Sequence, residues 1–197
     1  MSEDQLLIAT RNRHKTEEIT DFLGKSIRVD DLSSFPEAPE IEETGATFAE
    51  NSILKAVGIS RVVKGLVLAD DSGLEVDALN GCPGVYSARY AGPEADDGAN
   101  NRKLIAALAG VPRDARTGRF RCVMAMAREG RVLAQFDGTV EGHLLEEPRG
   151  EAGFGYDPLF VPEGYEQSFA ELGAEVKNHL SHRARALAQV MTWLAEQ

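Results

Sequence analysis

Four short stretches of this chain bring together side chains that can bind phosphate, hold a cation or grip a flat ring. Thr10-Arg11-Asn12-Arg13-His14-Lys15 puts three cations into six residues, where an apolar run gives way to a helix start. The positive end of the helix macrodipole disfavours cations in a first turn. An anion held by backbone N–H groups, a threonine hydroxyl and a lysine reverses that. The same residues also fit a plain strand–turn–helix with Asn12 as N-cap and solvated basic side chains. Asn51 and Lys55 stand one turn apart on a mostly apolar helix. Full burial of lysine without a partner is costly, so Lys55 either snorkels to the surface or is directed at a phosphate. Asp70-Asp71-Ser72-Gly73 follows an apolar run. Consecutive side chains of an extended chain diverge, so one of the two aspartates enters any site there. Carboxylates with water hold Mg²⁺ against substrate phosphates, and the alternative is a turn whose Asp and Ser satisfy backbone groups. The fourth set is Phe154-Gly155-Tyr156-Asp157 with Lys177 and Ser181-His182-Arg183. An aromatic beside glycine can offer an open face to a base, Lys177 and Arg183 donate and Asp157 accepts, although a core phenylalanine and a surface basic patch also fit.

The elements that must position these residues follow from periodicity. Leu6-Leu7-Ile8-Ala9 and Leu66-Val67-Leu68-Ala69 are continuous apolar runs, as in strands covered on both faces. A helix is expected over 13–22 with Ile19, Phe22 and Leu23 inward, then a strand over 27–32 and a loop over 33–45 containing Pro36 and Pro39. The stretch 47–63 is expected to be a largely buried helix, because Phe48, Ile53, Leu54, Val57, Ile59 and Val62 surround most of its axis. Residues 70–93, rich in Gly, Asp and Pro, are expected to form an ordered functional loop at a strand end, where open α/β sheets bind ligands. A helix over 100–108 should turn Leu104, Ile105 and Leu108 inward. Strands over 119–128 and 132–140 form a hairpin turning near Glu129-Gly130, with Phe120, Cys122, Met124 and Met126 on one face. The last helix starts near Ser181, with a stripe of Ala184, Leu187, Ala188, Met191 and Leu194. Gly24-Lys25-Ser26 imitates the end of a Walker A loop, but Ile19 stands where the first glycine belongs. No repeat, low-complexity tract or linker interrupts the 197 residues, which are expected to form one mixed α/β domain.

The formal charge of −11 argues against a general nucleic-acid binder, which needs a basic face. Two small basic patches, 10–15 and 177–185, on an acidic chain suit a small anion better than a polymer. Glu37, Glu40, Glu42, Glu43 and Glu50 lie between them with no base, as a solvated loop or a cation site. Cys82 and Cys122 match no metal or redox spacing and are expected to be reduced thiols. The acidic Met1-Ser2-Glu3-Asp4-Gln5 shows no signal-peptide pattern, and no apolar run is long enough for a bilayer. A cytoplasmic location without membrane contact is expected.

Taken in order, these stretches resemble the inosine triphosphate pyrophosphatase family, the XTP/dITP diphosphatases. The pieces are Thr10-x-Asn12-x-x-Lys15, Glu43-Thr44-Gly45, Phe48-x-Glu50-Asn51-x-x-x-Lys55-Ala56, Asp70-Asp71-Ser72-Gly73-Leu74, Pro83-Gly84-Val85-Tyr86-Ser87-Ala88-Arg89-Tyr90, Phe154-Gly155-Tyr156-Asp157-Pro158 and Ser181-His182-Arg183. They span residues 8–187. His14 departs from the pattern, since family members usually carry glycine before the phosphate-loop lysine.

The resemblance implies an elongated α/β fold with a mixed central sheet flanked by helices, two lobes with the active site in a cleft, a homodimer and Mg²⁺ dependence. It implies hydrolysis of deaminated purine nucleoside triphosphates (ITP, dITP, XTP) to the monophosphate and pyrophosphate. Thr10, Asn12, Lys15 and Lys55 then bind the triphosphate, and Arg11, Arg13, His14 and Ser72 belong to the substrate site. Glu43 and Asp71 hold the metal, with Asp71 activating water. Phe154, with Gly155 and Tyr156 beside it, stacks on the base, and Asp157, Lys177, His182 and Arg183 read its edge. A C6 carbonyl accepts from Arg183 or Lys177 where adenine presents an amino group, and unpaired donors discriminate by a factor on the order of 10⁴. The rival readings are a pyrophosphatase for pyrimidine or methylated nucleotides and a nucleotide-binding regulator without turnover. The two carboxylates argue against the regulator.

Overall fold

The computed structural model describes residues 5–24 and 27–197. The Walker-like Lys25-Ser26 and the first four residues lie outside them. Six strands form one mixed sheet in the order β2-β1-β3-β4-β5-β6: β1 Gln5–Ile8, β2 Arg28–Asp31, β3 Leu66–Val76, β4 Thr117–Arg128, β5 Arg131–Leu144 and β6 Phe160–Pro162. β1 pairs in parallel with both β2 and β3, in registers such as Leu7↔Asp30 and Leu7↔Val67, and β5 pairs antiparallel with β6. Among the described residues five α-helices flank the sheet: α1 Arg13–Leu23, α2 Phe48–Ser60, α3 Asp97–Ala107, α4 Phe169–Leu180 and α5 His182–Ala195.

The chain divides into two compact units. The first comprises Met1–Asp71, Cys122–Gly138 and Arg183–Gln197. Its apolar residues fill two clusters: Leu6, Ile8, Ile19, Leu68, Met124 and Val190 belong to one, and Leu7, Ala56, Ile59, Val67 and Ala125 to the other. Neighbouring residues over 6–9, 66–69 and 122–127 therefore serve opposite clusters, which is why these stretches of β1, β3 and β4 are apolar at every position and not at alternate ones. The second unit comprises Ser72–Arg121 and Thr139–His182. Its core gathers Leu74, Val76, Leu104, Phe120, Leu159, Phe160 and Phe169.

The structure corrects four expectations. The stretch 70–93 is not a loop after a strand: β3 runs on to Val76, followed by short 3₁₀ turns over Asp77–Leu79 and Gly84–Arg89. Leu74 and Val76 are fully buried and carry the extended chain past the polar residues. α2 is not buried all round: Leu54 is exposed, as is Val62 beyond its end, because polar Asn51 and Ser52 take the inner face instead. In α5, Ala188 is exposed while Ala186 and Val190 are buried. Finally, α4 and β6 are present where periodicity pointed to neither. Both cysteines are free, Cys82 exposed and Cys122 buried. Among the described residues no helix is long and apolar enough to cross a membrane.

Candidate active site

In the first unit the site residues meet on β3, α1, α2 and the start of α5. Thr47 caps α2 through a reciprocal capping box with Glu50, which fixes where the helix begins. Glu50 is accounted for by that box. One residue further on, Asn51 is fully buried. Its carbonyl oxygen accepts from Gly45 N–H at 2.8 Å and its amide donates to Asp71 Oδ2 at 3.0 Å. A Cβ at position 45 would lie 2.7 Å from that carbonyl oxygen, so the close approach requires glycine. One turn later Lys55 Nζ lies 2.6 Å from Glu43 Oε1 and 3.6 Å from Asp71 Oδ1. Asn51 and Lys55 together tie the 43–45 loop to Asp71.

Asp70, its neighbour on β3, serves a different set. Lys15 Nζ lies 3.1 Å and Arg183 Nη2 3.0 Å from Asp70 Oδ2, and Arg183 Nη1 also pairs with Glu18. The alternation of strand side chains thus gives each aspartate its own partners. Burial acts to raise the Asp70 carboxyl, but Lys15, Arg183 and Lys55 outweigh it and hold it well below the usual range. At Asp71 burial, helped by Glu43, prevails over Lys55, Lys15 and the Asn51 amide, and the carboxyl titrates above its ordinary value. Burial lowers the Lys55 ammonium, but Asp71, Asp70 and Glu43 more than offset it, so the lysine stays charged.

The loop before α1 is capped from within. Asn12 Oδ1 accepts from the backbone N–H groups of His14 and Lys15 at 3.0 and 3.3 Å, and Thr10 Oγ1 accepts from Asn12 N–H at 3.1 Å. Arg11 donates to the Ala38 carbonyl, exposed Arg13 pairs with Glu17, and His14 is exposed. Lys15 turns inward, onto Asp70. Of the cations at the starts of α1 and α5, Arg13, Lys15 and Arg183 are thus paired with Glu17, Asp70 and Glu18.

In the second unit Lys177 and Asp157 are both buried, with Nζ 2.6 Å from Asp157 Oδ2. The ammonium also lies 4.3 Å from the centre of the half-buried Phe154 ring, a cation–π contact. Asp157 Oδ2 accepts from Phe154 N–H as well, closing a tight turn over 154–157. Buried His182 stacks on Phe120, ring centres 4.9 Å apart. Ser72 is half-buried on β3. Tyr156 is buried, its hydroxyl donates to the Ser87 carbonyl at 2.8 Å, and burial raises its titration, so its side chain packs into the core. Ser87 in turn accepts from Leu74 N–H through its hydroxyl, which gives the 83–90 motif a structural purpose.

Sequence reasoning passed over Asp97, Asn101 and Glu18. Asp97 and Asn101 meet Gly155, and Glu18 meets Arg183. The one signal for the first two was their spacing of four on a helix face, which looks like ordinary helix polarity.

Among the described residues no group of three or more His, Cys, Asp or Glu is arranged to hold a metal ion. Glu43 and Asp71, two hard oxygen donors sharing one lysine, nevertheless fit Mg²⁺. That ion keeps several waters and takes one or two carboxylates plus substrate phosphate oxygens.

The Ham1 family model matches residues 6–193. Over 188 residues the chain is 50% identical to a protein named dITP/XTP pyrophosphatase from Desulforamulus reducens, covering 95% of this chain and 94% of that one. The structure of a HAM1 protein from Coxiella burnetii is similar at a TM-score of 0.88 and 40% identity, covering 98% of this chain and 99% of that one. The Staphylococcus aureus Ham1 protein gives 0.87 and 38%, with 98% of both chains covered. A family match over nearly the whole length, with relatives this similar, means that the chain belongs to the Ham1 family.

Proposed function

We propose that this chain is a nucleoside triphosphate pyrophosphatase that cleaves deaminated purine nucleotides (ITP, dITP, XTP) to the monophosphate and pyrophosphate, clearing them from the nucleotide pool. The observation that carries the reading is the Lys55 ammonium held between Glu43 and Asp71, with Asn51 fixing Asp71 from behind. The curated relatives named dITP/XTP pyrophosphatase support the same activity and substrates.

Thr10, Asn12, Lys15 and Lys55 bind the triphosphate, with Arg11, Arg13, His14 and Ser72 adding to its surroundings. Glu43 and Asp71 would hold Mg²⁺, which would supply charge neutralisation at the phosphate oxygens. Asp71, the carboxyl that burial raises, accepts the proton of the attacking water. Asp70 stays ionised and keeps Lys15 and Arg183 in place. Positioning and electrostatics supply most of the acceleration in such transfers. Phe154 stacks on the base, and Asp157, Lys177, His182 and Arg183 read its edge; held by Glu18 and Asp70, the Arg183 guanidinium is a fixed donor. The reading includes a homodimer in the cytoplasm, a reducing compartment that suits two free thiols.

Turnover of ITP in ¹⁸O-water tests it. The label should enter the nucleoside monophosphate, with one equivalent of pyrophosphate and no free phosphate. Label in pyrophosphate means attack at the β-phosphorus, and free phosphate with a diphosphate product means γ-cleavage; either overturns the assignment.

A further inference from the structure

The second unit holds an arrangement that none of the roles above uses. The first helical residue of α3, exposed Asp97, accepts from Gly155 N–H through Oδ2 at 2.7 Å. One turn later the Asn101 amide donates to the Gly155 carbonyl at 2.8 Å and to the Asp97 carbonyl at 2.8 Å. Asn101 is buried. Both ends of the Gly155 region are thus gripped by one face of one helix, at the spacing that puts two side chains side by side. Gly155 has φ +62°, a conformation a side chain would strain. The residue before it is Phe154, whose own N–H is held by Asp157 and whose ring faces the Lys177 ammonium. Phe154 is therefore fixed at one end by Asp157 and at the other by α3. A surface loop with no task needs neither hold, and solvent would satisfy the Gly155 N–H without Asp97.

The geometry points to Asp97 and Asn101 as positioning residues for base recognition: by gripping the Gly155 peptide groups they set the face that Phe154 offers to a purine. The inference rests on the reading that Phe154 stacks on the base. Neither residue touches the reacting atoms, so their loss acts on binding of the base and leaves the chemical step alone.

Steady-state kinetics on ITP with Asp97→Ala, Asn101→Ala, Phe154→Ala and the Phe154→Ala/Asn101→Ala double variant test it. A single lost hydrogen bond corresponds to a KM rise of about three- to ten-fold for Asp97→Ala and for Asn101→Ala, with kcat unchanged. Asp97→Asn, whose amide oxygen still accepts from Gly155 N–H, should restore KM to near the wild-type value. In the Phe154→Ala background, Asn101→Ala should raise KM no further. Asp97 is exposed, so its variants should keep the fold, and a loss of stability in Asn101→Ala does not remove the test. If Phe154→Ala raises KM while Asp97→Ala does not, or if the two effects simply multiply, the positioning role is wrong and the stacking reading survives. If Phe154→Ala itself leaves KM unchanged, the stacking reading falls and this inference with it.

Discussion

Asp70 and Asp71 are adjacent on one strand, both buried and both carboxylates, yet their isosteric replacements should move stability in opposite directions. Asp70 Oδ2 lies 3.1 Å from Lys15 and 3.0 Å from Arg183. Asp70→Asn leaves these two cations facing a neutral amide, although Arg183 keeps Glu18. Breaking a buried pair costs about 3–5 kcal/mol because a charge is left uncompensated, and Glu18 places this case at the low end. At roughly 2–4 °C per kcal/mol for a chain of this size, Tm should fall by about 6–12 °C. Asp71 is ionised against the preference of its surroundings, beside Glu43 and out of water. Asp71→Asn removes that charge, and Lys55 keeps Glu43 at 2.6 Å, so Tm should hold or rise. The pH dependence has matching signs. Asp70 has a lowered carboxyl, so its stabilisation is complete above the unfolded value of about 3.9 and disappears only as pH falls through the folded one. Asp71 has a raised carboxyl, so its contribution is complete below the unfolded value and is lost as pH rises through the folded one. The Asp71→Asn variant should therefore gain on the wild type between acid and neutral pH. Differential scanning calorimetry in chelator without nucleotide measures all of this. Equal losses in the two variants, or a larger loss in Asp71→Asn, would refute the division of labour between the aspartates.

Asp71→Asn should also bring pyrophosphate release to background while nucleotide still binds, as equilibrium dialysis with ITP would show; normal turnover here with an inactive Asp70→Asn would mean the roles are reversed. Asn51→Ala, which frees Asp71 from its amide partner, should lower kcat on ITP more than it raises KM, and a change confined to KM would contradict the positioning of Asp71. Tyr156→Phe removes one buried hydrogen bond worth about 1 kcal/mol and should lower Tm slightly without altering KM for ITP; a raised KM would return the tyrosine to the substrate. Chelation should stop turnover and added Mg²⁺ restore it, whereas full activity in excess chelator would remove the metal from the proposal.

The apolar runs at 6–9 and 66–69 announced their strands because both faces of β1 and β3 are covered, which leaves no polar position to blur the pattern. The continuation of β3 through Asp70-Asp71-Ser72-Gly73 was hidden for the opposite reason. Those residue types favour turns when judged locally, and what keeps them extended is tertiary: Lys15, Arg183, Asn51 and Lys55 arrive from three helices. Tyr156 shows the same limit. An aromatic two residues from another, next to a glycine, gives no local sign of which ring meets solvent, and the answer lay in a hydroxyl reaching Ser87, far away in sequence. Asp97 and Asn101 were missed because an acid at a helix start and an amide one turn later are the commonest kind of helix polarity.

Cations at two helix starts pointed towards phosphate by way of the macrodipole, and the structure gives those cations a different origin without weakening their use. Lys15 and Lys55 are each held by carboxylates, with side chains only 16% and 13% exposed. A lysine that is already desolvated and ordered loses little more entropy or hydration when a phosphate oxygen comes to it. An extended, fully hydrated lysine would lose both at the moment of binding. The carboxylates thus act as placeholders that keep the ammonium groups charged and aimed, and at Lys55 two of them are the residues proposed to hold the metal. A divalent ion at Glu43 and Asp71 would weaken their hold on Lys55 and make its charge more available to an anion. Metal and triphosphate should therefore bind with positive coupling, each tightening the other by the same factor. Isothermal titration of a non-hydrolysable ITP analogue, with and without Mg²⁺, measures that factor. It should collapse towards one in Lys55→Met, where the shared ammonium is gone, and undiminished coupling in that variant would show that Lys55 is not the link.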